Sequence, residues 1–399
     1  MYTKLHIQLT NLLTSIKILE TNKNYIYSVI YKRLIMHKYF RIVVFFFTVL
    51  LGLLSACKQE VTIKNDIPPV DTDTLTLSGR ISTEAGRNAG NSIFVDLSTT
   101  VVPKAVPREN WDLGFYCGEE FRVILNHSVG ATALRREETD LRNFVLNEAD
   151  STAIADNGSL EFGRTLNNVD AVTGDLAAYL SGTVIREVSA TNADNKVYVI
   201  NRGLARDGIT RRGWEKFRVT RINNGYVIQF DKITEDGAPR SLTVVKDPAY
   251  NFKFVSFVSN TVDVEPRKSL WDIEWTYSTY KTSDGTAAVA EHDFVLINFA
   301  AGVEAAQLIF TGTGANTAIT YENFTEADLT GITFLGTREV IGTNWRTIAS
   351  SNGSTLVATD RYYLIKDTQG SIYKLRFIPS ETGTPMFEYK LVKPYRVFQ

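Results

Sequence analysis

An all-β protein, arranged as two tandem antiparallel β-sheet domains, is the fold class this sequence predicts, and three observations predict it. Runs of alternating apolar residues rich in Val, Ile, Phe, Tyr and Thr recur between Gly, Asn and Asp turns, the pattern of half-buried strands. Long amphipathic helical periods are scarce, with short helices expected only near residues 143–154 and 302–308. The pattern also occurs twice: Phe94-Val95 is followed 17 residues later by Trp111-Asp112-Leu113, and Phe254-Val255 is followed 17 residues later by Trp271-Asp272-Ile273.

The chain begins with a segment outside that fold. Met36 to Cys57 reads MHKYFRIVVFFFTVLLGLLSAC: a short basic head, a 13-residue apolar run from Ile42 to Leu54, then Leu54-Ser55-Ala56-Cys57. The run is short of the ~20 residues that span a bilayer as a helix and fits the core of a signal peptide. Small residues at Ser55 and Ala56 let a signal peptidase reach the bond before Cys57, whose thiol then carries the lipid. Residues 1–56 are therefore expected to be a removed signal region with Met36 as the true start. Residues 57–78 are expected to be the lipidated Cys57 plus a flexible tether, polar and marked by Pro68-Pro69.

Processing changes the charge. The full chain carries 43 Lys+Arg against 44 Asp+Glu; removing residues 1–56 leaves 36 basic and 43 acidic residues, a net charge of −7. Neither form has the basic excess that phosphate neutralisation needs, so nucleic acid is not an expected partner. The membrane is expected as a partner through acyl chains rather than through charge. Lys58-Gln59-Glu60, directly after the cysteine, is similar to the short tag that many Bacteroidetes lipoproteins carry for export to the outer face of the outer membrane. The expected location is thus the outer membrane, lipid-anchored and exposed at the cell surface.

The repeats predict two domains, 79–250 and 251–399. FRVILNHSVGATA (Phe121 to Ala133) aligns with DFVLINFAAGVEA (Asp293 to Ala305), setting Asn126 on Asn298 and Gly130 on Gly302. The offset grows from 160 to 172 residues, which puts an insertion near residues 281–292 of the second copy. Closing strands also match: Val197 to Ile200, Lys216 to Val219 and Tyr226 to Ile233 with Tyr362 to Ile365, Lys374 to Phe377 and Met386 to Val392. If Gly118-Glu119-Glu120 turns a hairpin, Phe115 pairs with Val123, Leu113 with Leu125 and Trp111 with His127, leaving Asp112, Tyr116, Arg122 and Asn126 on the outer face. The second copy repeats the apolar face with Trp271, Ile273, Trp275 and Tyr277 against Val295, Ile297 and Phe299.

Chemical candidates are few. His127 is the only histidine within a regular repeat strand, but Phe299 takes its place in the second copy, which favours a packed ring over a catalytic one. Cys117 shares the apolar face and reads as an inert thiol. His292 lies beside Glu291 and Asp293 at the end of the insertion, with no second imidazole to complete a metal site. No nucleophile elbow, H-E-x-x-H or P-loop is present, and Gly312-Thr313-Gly314 lacks the third glycine of a dinucleotide fingerprint. No catalytic residues and no dedicated metal site are expected, and the protein is read as a non-enzyme.

The lipobox at Cys57, the FVDL strand from Phe94, NWDLGFYC from Asn110, FRVILN followed by a Gly/Ala loop, DRYYLIKDTQGSIYKLRFIP and MFEYKLV together resemble the HmuY family of Bacteroidetes surface lipoproteins, here in tandem duplicate. The resemblance implies an all-β fold and haem capture as part of iron acquisition. Its best-known members clamp haem iron between two histidines that lie between the Gly/Ala loop and the final meander, and some relatives are thought to use methionine. The corresponding segments, residues 134–196 and 306–360, contain no His, Met or Cys. His292, Met386 and His127 remain the candidate ligand-binding residues, with tyrosine as a further kind of iron ligand. The functional expectation is a non-enzymatic binder of haem or a related apolar ligand, passing it to an outer-membrane haem transporter. The alternative is a structural or protein-interaction lipoprotein without haem.

Overall fold

A computed structural model describes residues 72–76, 90–99, 104–144, 162–163, 165–282, 284–348, 355–379 and 386–395. The signal region, Cys57 and most of the tether lie outside the described residues, as does most of the helix expected over 143–154. All described residues fall within one compact unit, Ile67–Gln399.

Four antiparallel sheets form two pairs of like design. The first five-stranded sheet contains β6 (Thr132–Arg135), β7 (Val197–Asn201), β8 (Trp214–Ile222), β9 (Gly225–Lys232) and β10 (Arg240–Val245), in the order β10-β9-β8-β7-β6. Its partner orders β4 (Leu113–Tyr116), β5 (Val123–Leu125), β11 (Phe252–Ser256) and β12 (Asn260–Val262) as β12-β11-β4-β5. In the second pair, β1 (Thr72–Thr76), β15 (Glu304–Ile309), β18 (Arg361–Lys366), β19 (Ile372–Ile378) and β20 (Met386–Lys393) form β1-β20-β19-β18-β15. The last sheet orders β2 (Asn91–Val95), β3 (Lys104–Pro107), β13 (Ile273–Lys281) and β14 (Ala288–Ile297) as β14-β13-β2-β3. A small hairpin, β16 (Arg346–Ile348) with β17 (Thr355–Val357), stands apart.

The two pairs have matching strand orders, but residue 250 does not divide them. Strands β11 and β12, from beyond that residue, complete the sheet of β4 and β5, whereas β1, β2 and β3 complete the sheets of the C-terminal half. The first pair is one continuous stretch of chain, β4 to β12; the second closes around the first through both of its ends. Equal spacing reveals which segments are alike, but strand partners are chosen by long-range pairing, which spacing does not encode.

Alternation along the strands builds the three largest of the cores among the described residues. Leu113, Phe115, Val123 and Leu125 pack with Phe217, Ile228 and Phe230 inside the first pair. Ile273, Trp275, Val295 and Ile297 pack with Tyr363, Leu375 and Phe387 inside the second. Phe94, Trp111, Ile124, Phe252, Phe254 and Trp271 form a third cluster where the two four-stranded sheets meet.

The first hairpin has the expected register, Leu113↔Leu125 and Phe115↔Val123, and Ile273↔Ile297 with Trp275↔Val295 repeats it. Two expectations fail. Where a helix is expected over residues 302–308, the chain forms a strand, β15, from Glu304 to Ile309. Asp112 and Asn126 are fully buried instead of facing outward, because their polar atoms find partners in neighbouring segments: Arg202, Arg212 and Phe257 N–H for Asp112, and the carbonyls of Arg108 and Trp111 for Asn126. Among the described residues the one α-helix, α1 (Leu176–Ser181), is capped by Asp175, whose side chain accepts from Ala178 N–H.

Candidate ligand-binding site

The junction of the two halves is set by a polar anchor made twice. Asn126 donates its side-chain amide to the carbonyls of Arg108 and Trp111 at 2.8 and 2.7 Å. Asn298 donates in the same way to Lys268 and Trp271, at 2.9 Å each. Each anchor ends at a left-handed glycine, Gly130 with φ 68° and Gly302 with φ 90°, where a side chain would be strained. Pinned in this way, Trp111 meets Phe254 edge-on at 4.9 Å and Trp271 meets Phe94 at 5.1 Å. Each contact joins the two sequence copies yet lies within one pair of sheets, Trp111–Phe254 in the first and Phe94–Trp271 in the second, with both contacts facing the junction.

Between them lies an aromatic cavity of about 60 Å³ with His127, Glu265, Glu274 and Arg338 among its lining residues. Burial pushes Glu265 up to about 8 and Glu274 up to about 7, and it pushes His127 down to about 3. His127 is therefore a neutral ring at physiological pH. Its Nδ1 lies 3.3 Å from Ser278 Oγ, its carbonyl accepts from Thr279 Oγ1 at 3.2 Å, and its ring packs edge-on against Trp111 at 5.8 Å. This is the packed histidine the sequence favours.

His292 is built differently. The ladder between β13 and β14 runs Thr276↔Phe294 and then Ser278↔Glu291, so two residues, His292 and Asp293, stand opposite Tyr277 alone in a β-bulge. Asp293 takes the left-handed region at φ 52°, a conformation that costs an ordinary residue of order 1–3 kcal/mol and persists only when its surroundings hold it. Trp345 Nε1 donates to the Asp293 carbonyl at 2.9 Å and Arg346 Nη2 to the His292 carbonyl at 2.5 Å. The bulge aims His292 Nδ1 at Asp293 Oδ2, 2.7 Å away, with the imidazole 15% exposed and the carboxylate 3%. A histidine whose Nδ1–H is held by a carboxylate keeps its Nε2 lone pair for a ligand, the usual device that fixes the tautomer and raises the basicity of a metal-binding imidazole. The Tyr277 ring lies 6.0 Å from His292 and carries the Arg108 guanidinium at 3.9 Å.

Thus β13 brings His127 and His292 to neighbouring positions, at Ser278 and Tyr277 respectively, but the candidates do not converge as a set. Met386 is half-buried on β20, opposite Thr76 and Ile378. Among the described residues, no three of His, Cys, Asp and Glu gather as a metal site, and no helix is long and apolar enough to cross a membrane. Cys117 is buried, and burial raises its pKa. It borders an open cleft of about 530 Å³, lined also by Tyr116, Phe121, Tyr250, Lys246 and Lys268. That volume lies in the ~300–1,000 Å³ range of small-molecule sites, whereas the junction cavity falls below it.

Sequence reading missed Glu274, Glu265, Arg338 and Tyr179 as cavity residues. A signal existed for one of them: Glu274 interrupts the apolar stretch between Ile273 and Trp275. Arg338 reaches the cavity from an irregular segment and Tyr179 from the short helix α1, neither of which has a counterpart in the strand pattern.

These features define an antiparallel all-β protein with paired sheets and an aromatic junction. The chain belongs to the HmuY protein family, whose pattern it matches over residues 88–389. Among solved structures it is similar to apo PinO from Porphyromonas gingivitis, at 15% identity over 34% of this chain and 74% of that one, with a TM-score of 0.14; a likeness so distant carries no argument. No curated protein matches it.

Proposed function

We propose that this chain is a non-enzymatic, lipid-anchored binding protein of the cell surface that captures haem or a related apolar ligand and passes it to an outer-membrane transporter. Membership of the HmuY family across residues 88–389 carries this reading; the family is one of binding proteins. The geometry adds His292 as the iron ligand of choice, because its Nδ1 is held by Asp293 at 2.7 Å while part of the ring reaches solvent. His127 fits this role less well, because its ring is packed against Trp111, its Nδ1 faces Ser278 and it has no carboxylate behind it. A tetrapyrrole would have to lie outside the junction, since a cavity of about 60 Å³ holds little more than two waters at ~30 Å³ each.

Titration of the protein with haemin tests this directly. Binding through an imidazole shifts and sharpens the Soret band, whereas an unchanged spectrum rejects haem capture. The second reading, an interaction lipoprotein without haem, draws on one observation: His127, His292 and Met386 do not share a pocket. An unchanged spectrum together with an intact fold favours it.

A further inference from the structure

The two halves are alike in sequence but unequal at their hairpin ends. Beyond Thr276, β13 runs on to Lys281 and stays paired with β14, whereas β4 stops at Tyr116 and the chain turns at once through Gly118-Glu119-Glu120. By register, Cys117 therefore stands where the second half has Tyr277. The longer hairpin fills a place against the first half. There the Arg108 guanidinium lies 3.9 Å over the Tyr277 ring and donates to the Ser128 carbonyl at 2.5 Å, while the hydroxyls of Ser278 and Thr279 reach His127.

The matching place on the other side is open. Lys268 corresponds to Arg108, since each offers its carbonyl to the anchor asparagine of its half, and Ala300 corresponds to Ser128, each two residues after that asparagine. Cys117, Lys268 and Ala300 all line the cleft of about 530 Å³, so the cleft is the space that the short hairpin leaves unfilled. Lys268 is exposed, and among the described residues its ammonium has no hydrogen bond, ion pair or ring beneath it. The walls are held in place. Lys246 Nζ donates to the carbonyls of Gly118 and Glu120 at 2.6 and 2.8 Å and sits 3.7 Å from the Phe121 ring centre. The Tyr116 ring lies across the turn, so close to Gly118 that a Cβ there would meet it at 2.4 Å. Two ammonium groups, Lys246 and Lys268, against one carboxylate, Glu119, leave the lining positive.

We propose that this cleft binds a small planar aromatic acid, its ring in the place that the Tyr277 phenol takes in the other half and its carboxylate paired with Lys268. Tyr116 and Phe121 offer the aromatic walls, and Lys268 supplies the cation that both the ring face and the anionic group attract. His292 does not line the cleft, so this site is separate from the one proposed for iron and does not depend on it.

The probe is bromonaphthoate, titrated into the full chain by calorimetry and soaked into crystals so that the bromine reports its position by anomalous scattering. Binding should saturate, with the bromine peak inside the cleft. Lys268→Met, which leaves intact the carbonyl that Asn298 uses, should weaken binding about fivefold or more through loss of the ion pair and the cation over the ring. The uncharged amide of the probe should bind the unmodified protein more weakly than the acid. Cys117→Tyr, which gives the first half the ring its counterpart has, should abolish binding; should that variant fail to fold, Lys268→Met, at an exposed side chain, carries the test. Absence of saturable binding, equal affinity for acid and amide, equal affinity in Lys268→Met, or bromine density outside the cleft overturns the proposal.

Discussion

Asp112 and Asp272 occupy equivalent places in the two halves, yet their surroundings have opposite charge. Asp112 accepts from Arg202 at 2.9 and 3.0 Å and pairs with Arg212 at 2.8 Å. Ala133 pairs with Ile200 as Ala305 pairs with Ile365, which sets Asp367 where the first half has Arg202. Both aspartates receive the same backbone donor, Phe257 N–H on Asp112 and Leu97 N–H on Asp272, each at 2.8 Å. Asp272 otherwise faces Asp96 and Asp367, and burial together with those charges raises its pKa well above the usual carboxylate range.

The sign of the pH effect follows. A carboxyl whose pKa is raised on folding holds its proton more tightly in the native state, so its stabilisation is present at acid pH and lost as pH rises. Asp272, Glu274 and Glu265 all shift in this direction, the last two to about 7 and about 8. Stability should fall between about pH 4 and pH 8, and Asp272→Asn should flatten the decline. Asp112→Asn should act oppositely, costing about 3–5 kcal/mol because two buried guanidinium groups lose their partner. Denaturant melts of both variants at pH 5 and pH 8 check this.

A lysine cage is also made twice. Lys216 Nζ donates to the carbonyls of Leu141 and Phe144 at 2.8 and 2.7 Å and to that of Glu235. Lys374 Nζ donates to those of Tyr321 and Phe324 at 2.5 and 2.8 Å. Each ammonium gathers loop carbonyls onto a central strand. Lys216→Met and Lys374→Met should each destabilise by about 2–4 kcal/mol by stranding those acceptors, as chemical unfolding would report.

The asparagine anchors make a paired prediction. Asn126→Ala and Asn298→Ala each leave two carbonyls unmatched and should cost about 2–3 kcal/mol. Because each tryptophan is positioned by its own anchor, the blue shift of buried-tryptophan fluorescence should diminish in both variants. A change in only one of them would show that the two anchors are not equivalent.

The proposed lipid anchor is Cys57. Cells expressing the full chain should incorporate radiolabelled palmitate into the protein, and Cys57→Ser should abolish the label and release the protein from the membrane fraction. Labelling that persists in the variant would place the lipid elsewhere.

Much of the fold was legible because strand alternation is local. The register Leu113↔Leu125, the pairing Trp275↔Val295 and the equivalence of Asn126 with Asn298 all follow from period-two patterning and a repeated motif. The exchange of strands between halves was not legible, since Phe254↔Gly114 and Glu274↔Phe94 join segments whose patterns suit many partners. Burial of Asp112 was likewise hidden: its counter-ions Arg202 and Arg212 lie some ninety residues or more away in the chain. At the candidate site the sequence put His292 beside Asp293, but the hydrogen bond needs the bulge, and the bulge is held by Trp345 and Arg346, at the start of β16 and some fifty residues further along the chain.

The most direct measurement is a haemin titration of the unmodified protein beside His292→Ala and Asp293→Asn, with metal-free protoporphyrin as the control ligand. The unmodified protein should give a saturable Soret shift, lost in His292→Ala and weakened about tenfold or more in Asp293→Asn through loss of the carboxylate behind the imidazole. Protoporphyrin should bind all three proteins alike. A haemin spectrum that His292→Ala leaves unchanged would contradict the assigned ligand, and no shift in any of the three would contradict haem capture itself.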